Sequence, residues 1–313
     1  MSVSFIFPGQ GSQAVGMGAA LAEAYPAAKA VFAEVDDALG QTLSALMWEG
    51  PESELTLTEN AQPALMAVSL AAIRVLQEKG VDLARSAAFV AGHSLGEYSA
   101  LAAAGALSVA DTARLLKIRG RAMQQAVPVG AGAMAALLGA DLAQAQELAS
   151  AAAEGEVCEA ANDNAPGQVV ISGTKAAIDR AVALAPKYGA RRAVLLPVSA
   201  PFHCALMQPA ADAMREALAG VTVSTPAVPL VANVLAAPVR EPDEIRDRLV
   251  EQVTGMVRWR ESMLYLTSHG VTTVYEVGAG RVLTGIARRF DGLDAKSIGT
   301  PDEIEAAVAA LAA

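Results

Sequence analysis

The sequence predicts an α/β protein: a mostly parallel sheet covered by helices, with a small ferredoxin-like antiparallel module inserted in it. Short apolar runs alternate with helical patterns over most of the chain, which is the signature of a helix-covered parallel sheet. A β-α-β-β-α-β order fills about 70 residues in the middle of the chain, the split βαβ arrangement. A glycine-flanked serine, Gly92-His93-Ser94-Leu95-Gly96, lies where an apolar run hands over to a helix. The 313 residues suit one large domain or two smaller ones at about 150 residues each. The expected division is a discontinuous large domain, residues 1–127 and 200–313, interrupted by the module at 128–199.

Val3 to Phe7 is a β-prone run ended by Pro8-Gly9, and glycines at 9, 11, 16 and 18 punctuate the loop that follows. A helical pattern leads through Tyr25 and Val31-Phe32 to Leu39-Gly40. Pro63 to Leu76 is strongly apolar helix, stopped by Lys79-Gly80. Ala87 to Ala91 reads as a buried strand, Glu97 to Ala104 and Thr112 to Ala126 as helices. Pro128, Gly130 and Gly132 form an expected hinge. The module then runs Ala133–Leu138 (strand), Asp141–Glu154 (helix), Val157–Ala161 and Gln168–Ser172 (strands around the turn-rich Asn162 to Gly167), Lys175–Tyr188 (helix) and Ala193–Val198 (strand). Alternation resumes with helix Ala205–Ala219, strand Pro229–Val234, helices Ile245–Val253 and Ser262–Ser268, strand Thr272–Val277 and helix Val282–Arg289.

Hydrophobic residues make up 53% and charged residues 18%, enough for a core and too apolar for disorder. The net charge of −10 argues against general nucleic-acid binding, which needs clustered cations to neutralise phosphates. Cys158 and Cys204 make neither a disulfide framework nor metal-site spacing, so the expected setting is reducing and no metal is expected. The opening MSVSFIFPGQG lacks a basic segment and a long apolar run, and no apolar stretch reaches the ~18 residues of a membrane span. These features predict a cytoplasmic protein without a membrane partner, and the lack of a coiled-coil pattern or exposed apolar stripe predicts a monomer.

Gly-x-Ser-x-Gly between strand and helix is the context of a nucleophile elbow. The glycines permit a tight turn, and the N–H of Leu95 at the helix start is placed to meet a developing oxyanion. A serine needs a base. Of three histidines, His93 adjoins Ser94 and reads as packing, and His269 at a helix end reads as a surface residue. His203, just past the inserted module where the domains rejoin, is the expected base. No acidic residue follows it closely, which predicts a Ser-His dyad with a backbone carbonyl as orienting partner. The loop Phe7 to Gln13 is glycine-rich but matches neither a phosphate-binding nor a dinucleotide motif; it suits a second oxyanion donor. Arg119 can bind a carboxylate bidentately, although Arg114, Lys117 and Arg121 share its helix and periodicity does not choose among them.

These motifs, with FPGQGSQAVGMG, GPESELTLTENAQPALMAVS, GHSLGEYSALAAAGALS, IRGRAMQQAVPVGAGAMAALLG, ANDNAPGQVVISG, LPVSAPFHCALMQPA, MVRWRESM and YEVGAGRVLTGI, span nearly the whole chain. In that order the sequence closely resembles the malonyl-CoA:acyl carrier protein transacylases of bacterial fatty-acid synthesis. The resemblance implies a hydrolase-like large domain and ping-pong transfer of malonyl from malonyl-CoA to the phosphopantetheine thiol of acyl carrier protein, with no cofactor. It implies Ser94 as nucleophile, His203 as base, Arg119 as carboxylate grip, and the backbones of Gln10 and Leu95 as oxyanion hole. It also implies Gln252 as the glutamine whose carbonyl orients the histidine, and Phe202 as the ring that narrows the acyl pocket against an α-methyl branch. Rival readings of the same residues are a thioesterase, a non-catalytic carrier-binding module, and a discrete acyltransferase serving a polyketide synthase or a malonate decarboxylase.

Overall fold

The structure, a computed structural model, describes residues 2–198 and 200–311. Ser199, which closes the expected module and lies in one of the matching stretches, is outside the described residues. In chain order the strands are β1 (Ser2–Phe7), β2 (Phe89–Gly92), β3 (Gly132–Leu138), β4 (Cys158–Ala165), β5 (Gln168–Thr174), β6 (Arg192–Leu195), β7 (Leu230–Ala232), β8 (Ala237–Val239), β9 (Val271–Val277) and β10 (Asp294–Ile298). They form two sheets. The larger has the order β10-β9-β1-β2-β7-β8, parallel except for the β7–β8 pair at its edge. The smaller has the order β4-β5-β3-β6 with every neighbour antiparallel.

A strand central to a parallel sheet is covered on both faces, so it carries a continuous apolar run. In β1, Phe5 and Phe7 enter one core while Ile6 enters another on the opposite face, all fully buried. The helix Thr58–Glu78 is buried along most of its length between helices Pro26–Leu39 and Val109–Gln125. The small sheet keeps its own core, in which Ala135, Leu137, Val169 and Ile171 meet Leu148 and Ile178 from the helices Leu142–Ala153 and Lys175–Leu184. Asp141 and Gln144 cap the first of these helices reciprocally, and Thr174 caps the second, as their spacing at the helix starts allows.

Several boundaries depart from the sequence reading. Asn162 to Ala165, expected as turn, extend β4, and Pro166-Gly167 alone turn the chain. Contacts with a distant segment override turn propensity here. The Asp163 N–H donates to Val257 O at 2.9 Å, the Val257 N–H to Ala161 O at 2.9 Å, and Arg260 pairs with the Asp163 carboxylate at 2.8 Å. The helix expected to Tyr188 tightens to a 3-10 turn after Leu184, where Pro186 cannot donate. The strand expected to Val198 ends at Leu195. The edge strands β8 and β10 were not visible in the pattern, because an edge strand may carry Pro238 or Asp294 and Lys296 that a central strand would not. Among the described residues no helix is long and apolar enough to cross a membrane, and no group of three or more His, Cys, Asp or Glu is placed to hold a metal. Both cysteines are buried and free.

Candidate active site

Neighbouring parallel strands release their loops at one edge, which is where α/β sheets place their chemistry. Phe7 pairs with Gly92, so the loop from Pro8 and the turn at Ser94 leave the sheet side by side. β7, beside β2, ends at Ala232 and delivers Asn233 to the same edge. The turn tolerates nothing larger than glycine at its two flanks. A Cβ on Gly92 would lie 1.9 Å from the Gly96 carbonyl, and one on Gly96 would lie 2.2 Å from the Phe7 carbonyl oxygen. Between them Ser94 sits at φ 52°, a left-handed conformation costly for a side-chain-bearing residue. Asn233 braces it: its Oδ1 accepts the Ser94 N–H at 2.8 Å and its Nδ2 donates to Gly92 O at 2.7 Å.

His203 reaches the same point from the loop after the small sheet, also at a positive φ of 57°. Its Nε2 lies 2.7 Å from Ser94 Oγ. Its Nδ1 faces two backbone carbonyls, Gln252 O at 2.9 Å and Gly255 O at 3.2 Å. Carbonyls only accept, so Nδ1 carries the proton and Nε2 is the free lone pair toward the serine. Burial, with Arg119 nearby, pushes the imidazole down to about 3, so it is neutral at physiological pH. No carboxylate contacts Nδ1 among the described residues.

Arg119 is buried, whereas Arg114 and Arg121 on its helix are exposed and Lys117 turns to Gln41, Asn60 and Glu59. Its guanidinium donates to Gln62 Oε1 and Gln252 Oε1, each at 2.7 Å, and to Ser94 Oγ at 3.1 Å, and its Cζ stands 5.7 Å from the Tyr98 ring centre. Every one of these partners is neutral. Ser94, His203 and Arg119, with Gln10, Leu95 and Phe202, line a cavity of about 460 Å³. The small sheet and the loop after β6 wall it with Met134, Asn162, Leu196, Pro197 and Val198. The backbone N–H groups of Leu95 and Gln10 have no hydrogen-bond partner among the described residues. Gln252 lies beneath the pair, its carbonyl at His203 and its side chain bonded to Arg119, Ser94 O and Glu97.

Neither of the other two histidines bonds Ser94, although His93 also lines the cavity. His93 turns away from Ser94 to Asn164 at 2.8 Å and packs edge-on to Trp259. His269 ends the helix Trp259–Ser268, stacked on Tyr265. Sequence reasoning missed Gln62, Glu97, Asn164 and Asn233. Buried glutamine, asparagine and glutamate at a site carry no periodic signal, and their partners lie 57 to 155 residues away in the chain.

The fold and the site define a class: a hydrolase-like α/β acyltransferase with a serine and a histidine facing each other at a cavity of acyl-group size. The acyl transferase domain family matches residues 4–300. The malonyl CoA-acyl carrier protein transacylase of Escherichia coli K12 is 48% identical over 306 residues, covering 97% of this chain and 98% of that protein. The crystal structure of an acyl-carrier-protein-S-malonyltransferase from Bartonella henselae superposes with a TM-score of 0.98 at 56% identity, covering both chains completely. A malonyl-transacylase solved in complex with a type II PKS acyl-carrier protein gives a TM-score of 0.95 at 43% identity over 99% of this chain and 100% of that one. The chain belongs to the malonyl CoA-acyl carrier protein transacylase family.

Proposed function

We propose that this enzyme moves a malonyl group from malonyl-CoA to the phosphopantetheine thiol of an acyl carrier protein in fatty-acid synthesis, through a malonyl ester on Ser94. One observation carries the choice of acyl group. Arg119 is a buried cation with only neutral partners, 3.1 Å from the nucleophilic oxygen. A buried cation with no carboxylate in direct contact is unfavourable, and a carboxylate one methylene beyond the reacting carbonyl supplies that contact. An acetyl group cannot.

His203 Nε2 takes the proton of Ser94 as Oγ attacks the thioester carbonyl. The resulting oxyanion lies against the N–H groups of Leu95 and Gln10, and one such donor is worth about 3–4 kcal/mol. The carbon–sulfur bond breaks, and the coenzyme A thiolate takes the proton from His203. The carrier thiol then repeats the sequence in reverse, its proton passing to His203 and from there to Ser94 Oγ. Gln252 O and Gly255 O hold the imidazole in the tautomer this needs. Phe202, buried in the wall, supports reading its ring as a narrowing of the pocket against an α-methyl branch. No step calls on a metal or an organic cofactor. The reading divides the chain into a catalytic unit, 1–127 with 200–313, and an inserted unit, 128–199.

An acidic carrier must dock against a chain of net charge −10, so it needs a local cationic rim. Lys187, Arg191, Arg192, Arg288 and Arg289 suit that role: none has an acidic partner among the described residues. The test mixes the enzyme, malonyl-CoA and a carrier bearing its phosphopantetheine arm, and follows the carrier by mass spectrometry. Transfer gives carrier of malonyl-increased mass; free malonate with unmodified carrier would make the enzyme a thioesterase.

A further inference from the structure

We propose that Glu97 is a positioning residue for the acyl carboxylate: acting through the side chain of Gln252, it keeps Arg119 aimed at the site above Ser94. This rests on the malonyl-transfer reading and deepens it. Glu97 lies in the first turn of the helix Gly96–Ala103 and is fully buried. Its Oε2 accepts from Gln252 Nε2 at 2.6 Å and from the Asn233 N–H at 3.3 Å. Its Oε1 has no partner among the described residues, and no lysine or arginine pairs with it there. A carboxylate so placed costs stability.

What it controls is the direction of an amide. A glutamine side chain has two N–H donors on one end and an acceptor on the other. Both donors of Gln252 are committed, one to Ser94 O at 2.9 Å and one to Glu97, which leaves Oε1 facing Arg119 at 2.7 Å. An ionised carboxylate only accepts, so only this orientation satisfies it. The reverse would set N–H groups against the guanidinium. The order is cation, amide dipole, anion, and the backbone carbonyl of the same Gln252 orients His203.

The titratable groups facing Glu97 are Arg119 from the helix Val109–Gln125 and Tyr98 on its own helix. Burial lifts the carboxyl to about 7, against the opposing pull of Gln252, Asn233 and Arg119. Above that pH Glu97 is ionised and accepts. Below it, the protonated acid accepts only as a neutral carbonyl, so its hold on Gln252 Nε2 loses its charge assistance and Arg119 is less firmly aimed.

The experiment measures kcat/KM for malonyl-CoA and acetyl-CoA with one enzyme preparation across neutral pH. His203 serves both substrates, so its titration cancels in the ratio. The expected malonyl:acetyl ratio falls about tenfold as pH drops through about 7, the size of one buried charge-assisted hydrogen bond. The isosteric Glu97→Gln variant is expected to show the lowered ratio at every pH. A ratio that stays flat or rises on acidification, or a folded Glu97→Gln enzyme with the wild-type ratio, overturns the proposal. If that variant does not fold, the wild-type curve alone decides. Absence of any malonyl-enzyme at every pH would instead remove the transfer reading on which the proposal rests.

Discussion

Two edges border the same cavity and supply different material. The carboxyl edge of the six-stranded sheet contributes Ser94 at a strained φ, Leu95, the Gln10 loop and Asn233, closely tied by hydrogen bonds. The four-stranded sheet and its exit loop contribute Met134, Leu196, Pro197 and Val198, which are apolar, and Asn162, their one polar side chain in the cavity lining. A parallel edge sends several loops to one place, and their crossovers can hold strained turns against a covered core. An antiparallel edge ends in hairpins, which suit a wall. The difference teaches that the first edge should govern rate, and the wall should govern whether a branch on the acyl chain fits.

Changes at the parallel edge and its base should therefore be the most severe. His203→Ala is expected to lower malonyl transfer on the order of 10⁴- to 10⁶-fold, as loss of the base does in serine enzymes, measured by steady-state transfer to carrier. Arg119→Ala is expected to lower kcat/KM for malonyl-CoA about 10²- to 10³-fold, the cost of unpairing a buried carboxylate, with a smaller loss for acetyl-CoA. Equal losses for both substrates would take Arg119 out of acyl recognition. At the wall, Phe202→Ala should raise the methylmalonyl:malonyl ratio about tenfold, the scale of one methyl group in an apolar pocket. If it instead lowered malonyl transfer as severely as His203→Ala, the division of labour between edge and wall would be wrong.

A fourth effect is one that should not occur. The His203 imidazole is held down to about 3 by burial and by Arg119, so its neutral, proton-accepting form persists as pH falls through the ordinary histidine range near 6.5. Acylation by acetyl-CoA, which carries no carboxylate for Arg119 to pair with, should show no loss there in rapid-quench measurements. A titration centred near 6.5 would mean the histidine is far more solvated than its surroundings imply.

Ser94 and His203 were legible because each signal is discrete: a motif with a required context, and three histidines to choose among. Arg119 was legible as a type but not as a position, since three other cations share its helix and only packing turns one toward Ser94. The resemblance selected it, and the fold shows it buried toward Ser94. The alternation that predicted the parallel sheet follows from burial on both faces, so it fades at the edges, where β8 and β10 were missed. The extension of β4 through Asn162 and Asp163 depends on Val257 and Arg260, nearly a hundred residues on, which no local window contains. Glu97 and Asn233 were invisible for a related reason. Each is an ordinary polar residue in sequence, made important by what folds against it.

The central claim is that Ser94 carries the acyl group between two thiols. Enzyme mixed briefly with malonyl-CoA, quenched in acid, digested and mapped by mass spectrometry should show a malonyl increment on the peptide containing Ser94, lost when holo carrier is added before the quench. An increment on any other residue, or carrier malonylated at full rate by Ser94→Ala enzyme, would contradict it.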